Sequence, residues 1–112
     1  MNNMKRAAQY IRMSTDRQDL SPEHQKEAIA AYAAAREIRI VASYEDLGKS
    51  GMTIAGRESL KRLIRDVTGP HDFGLILVYD VSRWGRFQDV DEAAYYEYHC
   101  RRNGVQVRYV AE

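Results

Sequence analysis

The chain has one cysteine, four lysines against thirteen arginines, a net charge of only +1 and no long apolar run. Each shortage excludes something. A lone Cys100 cannot form an intrachain disulfide and fits a reducing compartment. No apolar stretch approaches the ~20 residues that span a bilayer, and Met1 to Arg6 lacks the apolar segment of a secretory signal. The expectation is a cytoplasmic protein with no membrane contact. The near-neutral balance is missing the electrostatic footprint of a stand-alone nucleic-acid binder. His24, His71 and His99 have no ligand spacing, so no metal site is expected. The full phosphate-loop signature is missing, because the chain before Gly48-Lys49-Ser50 has serine and not glycine at position 43, so a phosphate cradle is not expected either. There is no internal repeat, low-complexity tract or linker.

What is present fits one domain. A length of 112 residues, 45% hydrophobic and 29% charged, allows a single core and leaves no room for a second. Residues 5–13 read as a strand, and Ser14 to Ser21 as a polar loop. Ser21-Pro22-Glu23 then starts a helix, with serine at the cap, proline at the first helical position and an acid in the first turn. That helix runs to about Arg36 with Gln25, Ala28, Ile29, Tyr32 and Ala35 on one face. Ile38 to Tyr44 alternates as a second strand and delivers Glu45 and Asp46 into a glycine-bearing loop around Gly48 and Gly51.

A second helix is expected from about Arg57 to Val67, striped by Leu60, Leu63, Ile64 and Val67 and ended by Gly69-Pro70. Phe73 to Tyr79 is nearly continuous apolar, which suits a buried central strand. Another helix spans roughly Gln88 to Arg102 and stops at Asn103-Gly104, and Val105 to Val110 forms a fourth strand. The order βαβαβαβ predicts an α/β fold of three layers, flavodoxin-like, with a mostly parallel central sheet and helices on both faces.

In such folds ligands bind beyond the carboxyl ends of the strands. There the first strand places Tyr10, Arg12 and Ser14 on one side by its two-residue alternation. The second connection supplies Asp46 and then Arg57, and the third supplies Ser82, Arg83 and Arg86. An arginine inside a first strand is unusual, because a buried charge needs a carboxylate or an anion. Thirteen arginines against four lysines favour a few planar phosphate clamps over a diffusely sticky surface. Arginines converging on one hydroxyl suit phosphoryl transfer, where pre-placed donors stabilise the charge that builds on the equatorial oxygens.

Taken together, Tyr10-Ile11-Arg12-Met13-Ser14-Thr15, Gln25, Tyr44-Glu45-Asp46 with Gly48, Ser50 and Gly51, Arg57, and Val81-Ser82-Arg83-Trp84-Gly85-Arg86 resemble the catalytic domain of the serine recombinases, the resolvase/invertase family. The resemblance implies a resolvase-like fold and a site-specific DNA recombinase. Ser14 would attack a DNA phosphodiester, leaving a 5′-phosphoseryl link and a free 3′-hydroxyl, before strands exchange and religate. Arg12, Arg57, Arg83 and Arg86 would hold the scissile phosphate, with Tyr10, Gln25, Asp46 and Ser82 in support. No cofactor is implied, since the phosphoserine bond conserves the energy of the broken phosphodiester. Many small resolvases have an aspartate at the position of Ser82; serine there is closer to the large recombinases of phages and mobile elements, hence to DNA integration. Partners would be DNA and further copies of the protein, in a dimer and then a tetramer. Family members continue into a long interface helix and a DNA-binding region, both expected to be absent from residues 1–112. Such a fragment would be monomeric or weakly dimeric and unable to recombine DNA alone.

Plainer readings stay open beside these. Ser14 and Thr15 would bond their own turn in an ordinary loop. Arg12 has Asp46 and Asp80 as candidate structural partners, Gln25 could be a polar residue at a helix edge, and Arg83 and Arg86 could form a solvated face. Tyr95, Tyr96 and Tyr98 read as helix packing before base stacking. A phospho-receiver module is the rival class, with Asp46 or Asp80 accepting phosphate. A non-catalytic interaction domain with a vestigial site is another. Receivers need paired acids after the first strand to hold magnesium, and this chain has Arg12 and Ser14 there. Incubation with a small phosphodonor and magnesium should therefore leave the protein unlabelled; a magnesium-dependent phosphoaspartate would favour the receiver.

Overall fold

A computed structural model describes residues 5–13, 21–47, 58–84 and 90–112 of the chain. Four strands, β1 (Lys5–Met13), β2 (Ile38–Leu47), β3 (Leu75–Val78) and β4 (Gln106–Tyr109), form one parallel sheet in the order β2-β1-β3-β4. The helices are α1 (Pro22–Ala35), α2 (Glu58–Thr68), the single turn α3 (Val81–Trp84) and α4 (Val90–Arg102). The first crossover leaves β1 for one neighbour and the second returns past it to the other. The direction of winding therefore reverses between β1 and β3, which is where open α/β sheets make their ligand crevice.

Strand alternation divides the core into two. Ala7 and Ile11 of β1, with Leu75 and Leu77 of β3, pack against Ile29 and Ala33 of α1. Ala8 and Tyr10, with Ile76 and Val78, face the opposite way onto Leu60, Leu63 and Val67 of α2 and Cys100 of α4. Helices thus cover both faces, as the alternating element order predicts. Among the described residues no helix is long and apolar enough to cross a membrane.

One irregularity decides which way the end of β2 points. The pairing of β1 with β2 runs Ala7↔Ile40 and then Ala8↔Ala42, so Val41 is an extra residue in β2. A bulge shifts the alternation by one. Ile38 and Ile40 lie with the α1 side, whereas Ala42 and Tyr44 lie with the α2 side. Beyond the bulge Tyr44 pairs with Tyr10 and Asp46 with Arg12.

Several boundaries differ from the sequence reading, each for a local reason. β2 continues to Leu47, so Glu45 and Asp46 are still strand residues and not yet in the loop. β3 is only Leu75–Val78, and a helical turn intervenes before α4; four residues are too few for a periodic signal. In α1 the buried line is Gln25, Ile29 and Ala33, while Ala35 is exposed. A run of alanines marks no face by itself. The helix ends follow their punctuation. Ser21 caps α1 by accepting from the His24 amide at 3.1 Å. Gly104 closes α4 at φ +81°, with the Val105 amide donating to the Cys100 carbonyl at 2.9 Å.

Tyr44 donates its hydroxyl to Asp66 Oδ2 at 2.6 Å. Burial, then the hydrogen bond and charge of Asp66, push its phenol up to about 12 from the usual 10, with Arg62 pulling slightly the other way. A raised phenol means that the folded state keeps a proton that the unfolded chain releases. This contribution is whole below about pH 10 and is lost as pH climbs toward 12. Denaturant unfolding should show stability falling across that window. Tyr44→Phe, which gives up about 1 kcal/mol at neutral pH, should flatten the fall.

Candidate active site

The crevice between the carboxyl ends of β1 and β3 is built by a reciprocal exchange. Arg12, near the end of β1, donates from Nη1 to the carbonyl of Ser82 in α3 at 3.2 Å. Arg83, the next residue of α3, donates from Nη1 back to the carbonyl of Arg12 at 3.1 Å. Gln25 of α1 donates its side-chain amide to that same carbonyl at 3.0 Å. Three segments distant in sequence therefore meet on one peptide, two residues before Ser14.

Gln25 is fully buried and Arg83 is only 7% exposed. The reading of Gln25 as a polar residue at a helix edge is therefore corrected. The reading of Arg83 as part of a solvated face is corrected too: its guanidinium lies inside the crevice wall. A buried guanidinium is tolerated only where its donors and charge are matched. Here the match is the Arg12 carbonyl together with Asp80, whose Oδ1 lies 3.7 Å from Arg83 Nε.

Asp80 organises α3 as a whole. Its Oδ1 accepts from the Ser82 amide at 3.0 Å and from the Ser82 hydroxyl at 2.5 Å, and its carbonyl accepts from the Arg83 amide at 3.0 Å. Glu112, following β4, accepts from the Val81 amide through Oε2 at 3.1 Å. On the inner side Trp84 is fully buried and donates from Nε1 to the Ala93 carbonyl of α4 at 3.1 Å. Its ring meets Tyr10 edge-on at 6.3 Å and Tyr96 at 6.5 Å. An indole of ~150–250 Å² at about 25 cal/mol per Å² contributes roughly 4–6 kcal/mol by burial. Trp84 thus pins the turn that carries Ser82 and Arg83.

Asp46 braces the start of α2. Its Oδ2 accepts from the Tyr10 hydroxyl at 2.7 Å and from the Leu60 amide at 3.0 Å, and its Oδ1 accepts from the Ser59 amide at 2.9 Å. Ser59 returns its own hydroxyl to the Glu45 carbonyl at 2.8 Å. Asp46 is therefore the anion at the start of α2, supplied from β2 across the sheet. It ties β1, β2 and the helix that follows Arg57 in sequence. Glu45 beside it forms an ion pair with Lys26 at 3.0 Å. Burial alone would raise the Glu45 carboxyl, but Lys26 and Ser43 outweigh it and hold it below its usual value.

Of the residues singled out by sequence, Tyr10, Arg12, Gln25, Asp46, Ser82 and Arg83 come together in this way. Ser14, Arg57 and Arg86 lie outside the described residues, as do Gly48 and Gly51. Sequence reasoning named Asp80 only as a partner for Arg12 or as a phosphate acceptor. Its spacing, an aspartate two residues before a serine at a strand end, is the turn signal that would have identified it. Tyr95 and Tyr98 are exposed on α4, while Tyr96 packs inward. The reading of all three as helix packing is corrected for the outer two. Among the described residues no cluster of histidine, cysteine and carboxylate groups could hold a metal ion.

Comparison with known proteins gives a consistent picture. The family model described as "Resolvase, N terminal domain" matches residues 7–112. No curated protein sequence matches significantly. Among solved structures, the N-terminal catalytic domain of TP901-1 integrase is 28% identical with a TM-score of 0.80, covering 95% of this chain and 77% of that one. A resolvase family site-specific recombinase from Streptococcus pneumoniae is 31% identical with a TM-score of 0.80, covering 95% and 72%. The C-terminal catalytic domain of ISC1926 TnpA, an IS607-like serine recombinase, is 27% identical with a TM-score of 0.76, covering 94% and 67%.

Removing the Asp46 carboxylate should loosen the start of α2 first. Asp46→Ala leaves two helix amides and the Tyr10 hydroxyl without their acceptor, a loss of about 2–3 kcal/mol in urea unfolding. Amide exchange should accelerate at Ser59 and Leu60 beyond the rest of α2. Uniform acceleration along the helix would contradict the capping role.

Proposed function

The chain belongs to the resolvase N-terminal domain family, the catalytic domain of site-specific serine recombinases, and from that premise we propose that Ser14 is the nucleophile that breaks and rejoins DNA strands. Its oxygen attacks the phosphorus of a backbone phosphodiester, and the bond to the 3′-oxygen breaks. The 3′-end leaves as a hydroxyl, carrying overall the proton that the serine gives up, and the 5′-phosphate stays esterified to Ser14. Attack by a 3′-hydroxyl on the phosphoserine reverses the step and seals the strand. One phosphodiester is exchanged for another, so no external energy source is needed.

Arg12, Arg57, Arg83 and Arg86 are assigned to the scissile phosphate. The observation that carries this is the exchange between Arg12 and Arg83 at the reversal point of the sheet, two residues from Ser14 in sequence. A guanidinium has five N–H donors in a planar fork. Anchoring through one nitrogen and gripping an anion through others are compatible, and an anchored fork need not reorganise as charge builds. Gln25 and Asp46 act behind it, one on the Arg12 peptide and the other on the start of α2. Further copies of the protein, assembled as a dimer and then a tetramer, are proposed to bring the paired DNA ends together. Integration of a mobile element is the proposed setting, on the strength of the serine at position 82.

The test is chemical and does not require the recombination site in advance. A full-length recombinase containing this domain is incubated with a pool of sheared duplex DNA, quenched with denaturant, and digested with nuclease and trypsin. Mass spectrometry should find the adduct on the peptide of residues 13–17. Ser14→Ala should yield none, and Arg83→Lys, which keeps the charge but loses the fork, should slow attachment by about 100-fold. An adduct on any other residue, or one that persists in Ser14→Ala, would overturn the assignment.

A further inference from the structure

We infer that Asp80 is a positioning residue for strand cleavage, acting through the Ser82 hydroxyl and the Arg83 guanidinium; the inference rests on the function proposed above. A single carboxylate oxygen, Oδ1, serves the Ser82 amide, the Ser82 hydroxyl and Arg83 Nε, at 3.0, 2.5 and 3.7 Å. Arg83 in turn holds the Arg12 carbonyl, and Arg12 holds the Ser82 carbonyl, which closes a ring of contacts. Asp80 is the member of that ring with negative charge, and it faces a guanidinium that is almost wholly buried. Position 82 needs no acid of its own in this chain. The carboxylate comes from two residues earlier and reaches the crevice through a hydroxyl it orients. With its proton committed to Asp80, the Ser82 oxygen is left to act toward the crevice as an acceptor. Among the described residues the groups facing Asp80 are Ser82 and Arg83 of its own turn and, one contact further, Arg12 of β1.

A purely architectural carboxylate would be felt in stability alone, and a positioning one in the rate of the chemical step as well. Asp80→Asn preserves shape and an acceptor oxygen while removing the charge, and Ser82→Thr preserves the hydroxyl that Ser82→Ala removes. Single-turnover cleavage is measured on a duplex recovered from wild-type adducts, alongside DNA affinity, Tm and the amide and guanidinium NMR spectrum of the full chain. Asp80→Asn should stay folded, with Tm lowered by several degrees for the charge lost beside Arg83, and keep its affinity within about twofold. It should cleave at least about tenfold more slowly and shift the Arg83 Nε–H resonance. Ser82→Ala should cleave as slowly as Asp80→Asn, and Ser82→Thr should recover much of the rate that Ser82→Ala loses. Wild-type cleavage by Asp80→Asn, an unmoved Arg83 signal, or Ser82→Thr as slow as Ser82→Ala would overturn the inference. A wild-type protein that forms no adduct at residue 14 defeats the proposed function itself, whereas an active wild type with an unimpaired Asp80→Asn defeats only the role of Asp80.

Discussion

The carbonyl oxygen of Arg12 is the point on which the crevice depends. It accepts from Gln25 on one side of the sheet and from Arg83 on the other. A strand end in a parallel sheet has carbonyls with no further ladder partner, and burying them unmatched costs free energy. Here two buried side chains satisfy one such group. In doing so they fix where α1 and α3 sit relative to β1. A charged donor to a neutral acceptor in a low-dielectric wall is stronger than the same bond in water. The carbonyl is thus satisfied, Arg83 gains one of its partners, and the peptide two residues before Ser14 is held in place.

The bulge at Val41 matters for the same crevice. Without an extra residue in β2, the alternation set by Ile38 and Ile40 would continue, and Asp46 would face the α1 layer. With it, Asp46 stands beside Tyr10 and reaches the first amides of α2. A helix N-terminus carries partial positive charge, and a carboxylate there both caps and orients it. The contact between Asp46 and the start of α2 therefore rests on a single unpaired residue within β2, Val41.

Local signals in the sequence carried most of the elements. Ser21-Pro22 begins α1, the leucine stripe marks the buried side of α2, and Asn103-Gly104 ends α4. That Arg12 and Arg83 lie close together was legible because topology alone brings the ends of the first and third strands to one edge. Strand order was not legible, since pairing in a parallel sheet is between residues far apart in the chain. Nor was the bulge, because Val41 looks like any other residue in a β-branched run. The cap that Asp46 provides to α2 spans thirteen residues of sequence, beyond the reach of capping motifs, which look only three residues ahead. The phospho-receiver alternative fails on family membership. The structure adds a physical reason, since Asp46 is engaged as a cap and Asp80 as the brace of α3.

The excess of arginine over lysine takes on a structural meaning in this light. Binding a polyanion through net charge would need a broadly basic surface, and a chain of charge +1 does not have one. Anchored arginines solve a different problem. Each guanidinium can tie itself to a backbone carbonyl with one nitrogen and keep a planar fork in a defined direction, which a lysine ammonium on a flexible stem cannot do. Burying Arg83 has a desolvation cost, and Asp80 at 3.7 Å and the Arg12 carbonyl at 3.1 Å offset part of it. A site held this way depends on placed donors and not on net charge, which fits the catalytic domain of a serine recombinase.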